Sequence, residues 1–134
     1  MTSLFPDKVV VKIGKEKYET KVVSGKHQWI ADEPTDLQGT DLGPSPNQLF
    51  ASSLGACTAI TIRMYADRKS MSLDAVEVEL TIDKASAEDH TITRVVHLTG
   101  NLSDAEQERL MQVANACPVH KLLSGKITIE TKSA

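Results

Sequence analysis

Aromatic side chains are scarce in this chain: one Trp, two Tyr and two Phe make up 4% of its 134 residues. A surface for single-stranded nucleic acid needs stacking platforms along a cationic groove. With few rings and a formal net charge of −3, phosphate-backbone binding is excluded as an expectation. Cysteine is scarce too. Cys57 and Cys117 are the only two and lie sixty positions apart, so no local metal-knuckle spacing exists and only tertiary structure could join them. The first residues, Met1 to Pro6, contain no basic segment with an apolar stretch behind it, as a secretory leader would. The uncharged run from Asn47 through Ile62 is too short and too rich in Ser, Thr and Asn to span a bilayer. The expectation is a cytoplasmic protein with no membrane and no nucleic-acid partner. In a reducing compartment its two cysteines are catalytic, redox-sensing or simply buried, rather than a permanent bridge. Neither an internal repeat nor a low-complexity tract is present.

What is there reads as one ordinary globular domain spanning residues 1–134, with 40% hydrophobic and 25% charged residues, enough for a core without a stapling disulfide. Val9–Ile13, then Tyr18–Val23 and His27–Ala31 alternate and are separated by turn residues, predicting three antiparallel strands. The acidic stretch from Asp32 to Gly43 has no period and predicts a long loop, most simply a solvated one. Ser45, Pro46 and Gln48 form an N-cap, a first-turn proline and a third-position acceptor. They open a helix predicted to run to Ser70, about 36 Å long at 1.5 Å per residue. Its small residues and lack of charge predict a buried helix rather than an amphipathic one, and a small domain cannot easily cover it on every side; a homodimer is expected. Val76, Val78, Leu80 and Ile82 alternate with polar residues and predict a half-buried strand. Thr91–Thr99 predicts its neighbour. Ser103 and Glu106 form a second capping box, opening a helix through Cys117. Pro118 then starts a short turn to Leu123, and Ile127–Thr131 predicts a closing strand. The order is βββ-α-ββ-α-α-β, an α+β fold of antiparallel sheets with a long buried central helix.

Both thiols admit two readings. Each could be a small buried hydrophobe. Alternatively, Cys117 caps a short helix whose first residue is Pro118, where unpaired N–H groups stabilise a thiolate. Cys57, deep in an apolar helix, needs a cation or donor from elsewhere, because burial alone raises a thiol pKa.

The segment Gly43-Pro44-Ser45-Pro46-Asn47-Gln48-Leu49-Phe50, Cys57-Thr58, the stretch from Arg63 to Lys69, and Cys117-Pro118-Val119-His120 together resemble the OsmC/Ohr family over nearly the whole chain. The resemblance implies an intertwined homodimer with the two cysteines facing each other at the subunit interface. It also implies a thiol peroxidase acting on organic hydroperoxides and reset by a dithiol reductant, with no metal or other cofactor. By that likeness Cys57 is the peroxidatic residue and Cys117 the resolving one: a Cys57 sulfenic acid condenses with Cys117 before over-oxidation. An apolar pocket of Leu49, Phe50, Leu54 and Met64 would suit such substrates. The chain departs from the family in two places. Active members carry an arginine in the N-terminal strands or loop and a glutamate ten positions before the first cysteine. Here that position is Asn47, no arginine precedes Arg63, and the lysines at 8, 12, 15, 17, 21 and 26 lack a planar bidentate fork. Arg63, about 240° around the helix from Cys57 at 3.6 residues per turn, is a poor substitute within one subunit. Two rival readings stand beside the enzyme: a non-catalytic stress-response or ligand-binding module, and a redox sensor that uses the same disulfide. His27, His90 and His97 look ordinary; His120, three residues past Cys117, could join a metal site with the two cysteines, but the expectation is a surface residue on a short turn and no metal.

Overall fold

A computed structural model describes all 134 residues. It contains β1 (Val9–Ile13), β2 (Thr20–Ser24), β3 (His27–Ala31), a 3-10 turn (Thr35–Leu37), α1 (Pro46–Arg68), β4 (Leu73–Lys84), β5 (His90–Gly100), α2 (Asp104–Ala114) and α3 (Pro118–Ser124). The fold is α+β with purely antiparallel pairing. The chain divides into two compact units, residues 1–50 and 51–134.

In the first unit, β1, β2 and β3 form a meander in which Val9 pairs with Ser24 and Thr20 with Ala31. Gly25 makes the tight turn between β2 and β3 with φ of 56°, a conformation that favours a residue without Cβ. The acidic loop after β3 is not simply solvated. Asp32 is 2% exposed. Its carboxylate accepts from the amides of Glu33 (2.7 Å), Thr40 (3.4 Å) and Leu42 (3.2 Å) and from the Thr40 hydroxyl (2.7 Å). Burial pushes this carboxyl up, but the four donors outweigh it and hold Asp32 below the usual range. A cavity of about 660 Å³ opens on the apolar face of the meander, lined by Val11, Ile13, Trp29, Leu49 and Phe50 among others.

In the second unit, β4 and β5 form a long ribbon in register from Leu73–Gly100 to Lys84–His90, with one irregularity between Leu73 and Ala75. Its apolar face carries Val76, Val96 and Leu98 against a core of Ile62, Ala66, Leu73, Leu110, Val113 and Ala114. Ile62 and Leu110 are wholly buried, a burial worth roughly 1.5–3 kcal/mol each. Gly55 allows α1 to close on β4, because a Cβ there would fall 2.7 Å from Leu80 Cδ1. The solvent face of the ribbon is polar: His97 pairs with Glu79 at 3.2 Å.

Both capping boxes form. Gln48 N donates to Ser45 Oγ (3.2 Å) and Ser45 N to Gln48 Oε1 (2.9 Å), and the same reciprocal pair links Ser103 and Glu106 (3.1 and 2.9 Å). One expectation is corrected. The closing strand Ile127–Thr131 does not form, and the chain has no regular structure after Ser124. A strand needs a neighbouring ladder, and no strand pairs with this segment; Ile127 and Ile129 are 54% and 87% exposed. Within one chain α1 is buried on one side, as expected of a helix that a small domain cannot cover all round. Its buried residues Leu54, Thr58, Ile62 and Ala66 recur every fourth position as one stripe, while Phe50, Ile60 and Met64 on another face are exposed.

Candidate functional site around Cys57 and Cys117

The two cysteines are brought together. Cys117 is wholly buried, Cys57 is half-buried, both are free thiols, and Cys57 lies near enough to Cys117 to help lower its pKa. Local sequence explains how Cys117 is held. A residue before proline is pushed out of the helical region, and Cys117 is extended (φ −65°, ψ 139°) at the cap of α3, with Pro118 in the first turn. Its sulfur therefore accepts the amide of His120 at 3.3 Å, as an N-cap oxygen would.

Thr58 comes to the same sulfur from the buried stripe of α1. Its Oγ1 lies 3.8 Å from Cys117 Sγ and donates to the Leu54 carbonyl at 2.7 Å. One hydroxyl proton thus faces two acceptors, and ionisation of the sulfur would draw it away from the carbonyl.

The cation is Arg94, a residue that sequence reasoning missed. From the middle of β5 its Nη1 donates to Thr58 Oγ1 at 2.9 Å, and Nη2 reaches Asn115 Oδ1 at 3.0 Å and His120 Nδ1 at 3.1 Å. Arginine has no acceptor, so His120 Nδ1 must accept and the ring carries its proton on Nε2. All three partners are neutral, and no carboxylate lies within ion-pair distance of Arg94. A signal was present in the sequence. Ile92, Arg94, Val96 and Leu98 share the inward register of β5, and a charge among apolar partners on that face marks a residue held for something other than packing.

Burial pushes the Cys117 thiol up, yet the His120 amide, the Thr58 hydroxyl, the Cys57 thiol and the Arg94 charge outweigh it and leave the group below an ordinary thiol. Arg63 takes no part: it is committed to Asp67 at 2.6 Å and to the Leu73 carbonyl at 2.7 Å. Asn47, which stands at the family's glutamate position, lies in the first turn of α1.

Around Arg94 and His120 the second unit has a cleft of about 380 Å³, lined also by Leu54, His90, Ile92 and Leu123 and by neither cysteine. The pocket expected from sequence is not assembled as such. Leu49 and Phe50 line the cavity of the first unit, Leu54 lines this cleft, and Met64 is 58% exposed.

The arrangement favours ionisation of one sulfur and brings a second free thiol near it. Comparison with known proteins gives the family. No curated protein sequence matches the chain. Among solved structures, an OsmC-like protein of Mycoplasma pneumoniae is similar at 19% identity and a TM-score of 0.77, covering 92% of this chain and 90% of its own. An organic hydroperoxide resistance protein OsmC of Legionella pneumophila is similar at 24% identity and a TM-score of 0.67 (92% and 93% covered). The organic hydroperoxide resistance protein OhrB of Bacillus subtilis is similar at 23% identity and a TM-score of 0.64 (92% and 93%). At these identities the likeness establishes the fold. The family profile described as OsmC-like protein matches residues 39–132, and the chain therefore belongs to the OsmC-like protein family.

Proposed function

We propose that the protein is a cytoplasmic, homodimeric thiol peroxidase for organic hydroperoxides, its whole chain forming one OsmC-like domain, with Cys57 peroxidatic and Cys117 resolving. The carrying observation is the pair itself: a buried Cys117 sulfur that accepts the His120 amide, with Thr58 standing between it and the Arg94 charge and the free thiol of Cys57 nearby. Cys117, held as a thiolate, takes the proton of Cys57, and the Cys57 sulfur attacks the terminal oxygen of the hydroperoxide. The O–O bond breaks, a Cys57 sulfenic acid forms, and the alkoxide leaves with the proton as an alcohol. The Cys117 thiolate then attacks the Cys57 sulfur, closing the disulfide and releasing hydroxide, which is protonated to water. Two thiols and one hydroperoxide thus become one disulfide, one alcohol and one water. A dithiol reductant reverses the oxidation by exchange.

A second copy of the chain is the natural cover for the exposed stripe of α1, where Phe50, Ile60 and Met64 recur at heptad-like spacing beside Cys57. The rival reading, a ligand-binding module without turnover, draws on the apolar cavity of the first unit. Intact mass and thiol count after one equivalent of an organic hydroperoxide decide between them. Rapid loss of two mass units and both thiols is expected. Cys57→Ser should abolish turnover, and Cys117→Ser should allow one turnover followed by over-oxidation. Equal activity in both variants would sink the mechanism, and persistent free thiols would leave the binding reading in its place.

A further inference from the structure

The outer face of the β4–β5 ribbon, turned away from the core, collects two carboxylates and an imidazole. Exposed and half-buried positions alternate along both strands. Glu77 and Glu79 of β4 and His97 of β5 fall on the exposed side, whereas Arg94, Val96 and Leu98 fall on the other. Strand geometry sets Glu77 and Glu79 about 6.6 Å apart along one face, and the antiparallel register places His97 directly opposite Glu77 and diagonal to Glu79. His97 Nε2 stands 3.2 Å from Glu79 Oε1. One ligand atom from each of the three side chains lies within 4.8 Å of the other two. No lysine or arginine answers the two negative charges: Glu77 is in no ion pair, and Glu79 has His97 alone. Like charges side by side on a sheet face repel, and a neutral imidazole brings no counter-charge.

We propose that Glu77, Glu79 and His97 form a binding site for a divalent first-row transition-metal ion, Zn²⁺ in the first place, on the outer face of the ribbon. A tetrahedral ion with bonds of about 2.0–2.1 Å to nitrogen and oxygen holds its ligand atoms about 3.3 Å apart. The edge from His97 Nε2 to Glu79 Oε1, at 3.2 Å, already has that length. The edges to Glu77 start from no more than 4.8 Å, and a change of rotamer in an exposed glutamate closes them. The donor set selects the ion. Magnesium and calcium take oxygen ligands, whereas an imidazole nitrogen beside carboxylates suits zinc and its neighbours. Two carboxylates neutralise the double charge of the ion, and the ion in turn supplies the counter-charge that this face otherwise lacks. Three protein ligands leave the fourth position to water. Because the ligands come from both strands, a bound ion ties β4 to β5. The site takes no part in the reaction proposed above, since Arg94 stands in the opposite register of β5, and neither proposal depends on the other. His97, which looks ordinary in the sequence, is the residue that turns a pair of surface carboxylates into a ligand set.

Zn²⁺ is the probe, titrated in a non-chelating buffer into the full-length, isotope-labelled protein and read residue by residue, so that capture by Cys57, Cys117 and His120 is seen apart from the ribbon. The His97 ring and the side-chain carboxyl carbons of Glu77 and Glu79 should move together and saturate at one ion per ribbon. Mg²⁺ and Ca²⁺ at the same concentration should leave the His97 ring in place. His97→Ala should weaken Zn²⁺ at the two carboxylates at least about tenfold, since even the outer-shell partners of a metal act on a scale of about 10–100-fold. Glu77→Gln and Glu79→Gln should each do the same at the His97 ring, the amide keeping the shape and losing the charge. All three side chains are exposed, and unchanged amide resonances elsewhere in the chain show that each variant has folded. A His97 ring that stays in place while the thiols take up Zn²⁺ overturns the proposal. Unchanged affinity in either Gln variant also overturns it, because His97 would then bind as a lone surface imidazole.

Discussion

Replacing Arg94 by Gln removes the cation while keeping a donor of similar reach, and the ionisation of Cys117 should respond in a calculable way. Arg94 Nη1 is 2.9 Å from Thr58 Oγ1, and that oxygen is 3.8 Å from the Cys117 sulfur. Nitrogen and sulfur are therefore no farther apart than the two legs laid end to end, ~6.7 Å, at which unit charges interact by about 2.5 kcal/mol at an effective dielectric of 20. Arg94 is half-buried, so solvent takes part of that, and without the cation the thiol should titrate at higher pH. The assay is the pH dependence of thiolate absorbance near 240 nm in a Cys57→Ser background, a readout that needs no reagent to reach the buried sulfur. Wild-type and Arg94→Gln curves should be parallel and displaced, the variant to higher pH. Arg94→Lys should fall between them, because the charge is kept and the fork lost. A midpoint that does not move in the Gln variant would refute the account of the site: Arg94 would then be a structural tie among Thr58, Asn115 and His120, and the thiol would be set by the backbone amide alone.

Three further outcomes follow from the same geometry. Asp32→Asn should lower Tm at neutral pH, since an amide nitrogen would face the donors of Thr40 and Leu42. Because the folded Asp32 pKa is depressed, its contribution is present above the unfolded value and lost as pH falls through the folded one, so the gap between wild-type and variant Tm should narrow below about pH 4; a gap constant with pH refutes this. Ser103→Ala breaks one half of the second capping box and should cost about 1 kcal/mol in urea unfolding, within the usual 0.5–2 for a lost cap. Ile62→Ala, in the wholly buried centre of the second unit, should cost roughly 2–5 kcal/mol, and a loss below 1 would mean that α1 does not pack against the ribbon as described.

Much of the architecture was legible because its signals are local. Ser45 with Gln48 and Ser103 with Glu106 mark helix starts by side-chain chemistry within one turn, and both boxes form. The strict alternation from Val76 to Ile82 fixes a strand with one wet face, and β4 extends it by a few residues at each end. Pro118 announces both the start of α3 and the extended cap at Cys117. Ile127–Thr131 carries the same alternation and forms nothing, because alternation records which face a strand would bury and says nothing of where its ladder partner lies. Asp32 was misread for a related reason. Acidic composition points to a wet loop, whereas the four donors that bury this carboxylate come from positions up to ten residues away.

Arg94 is the instructive case. The family pattern points to a cation in the N-terminal strands, and closeness in sequence to Cys57 points to Arg63. Physical need pointed elsewhere: the buried sulfur is Cys117, and whatever stabilises it must come from elements packed around α3. The inward register of the ribbon is such a surface, and Arg94 is the one charged residue among Ile92, Val96 and Leu98 on that face of β5. A charge placed where alternation calls for an apolar side chain costs stability unless something answers it. Here three neutral acceptors position the guanidinium without neutralising it, and the only anion the site can generate is a thiolate. The departures at Asn47 and in the N-terminal strands therefore do not by themselves remove thiol activation. They move the question from Cys57 to Cys117, whose ionisation in the reaction proposed above supplies both the base for the first step and the nucleophile for the second.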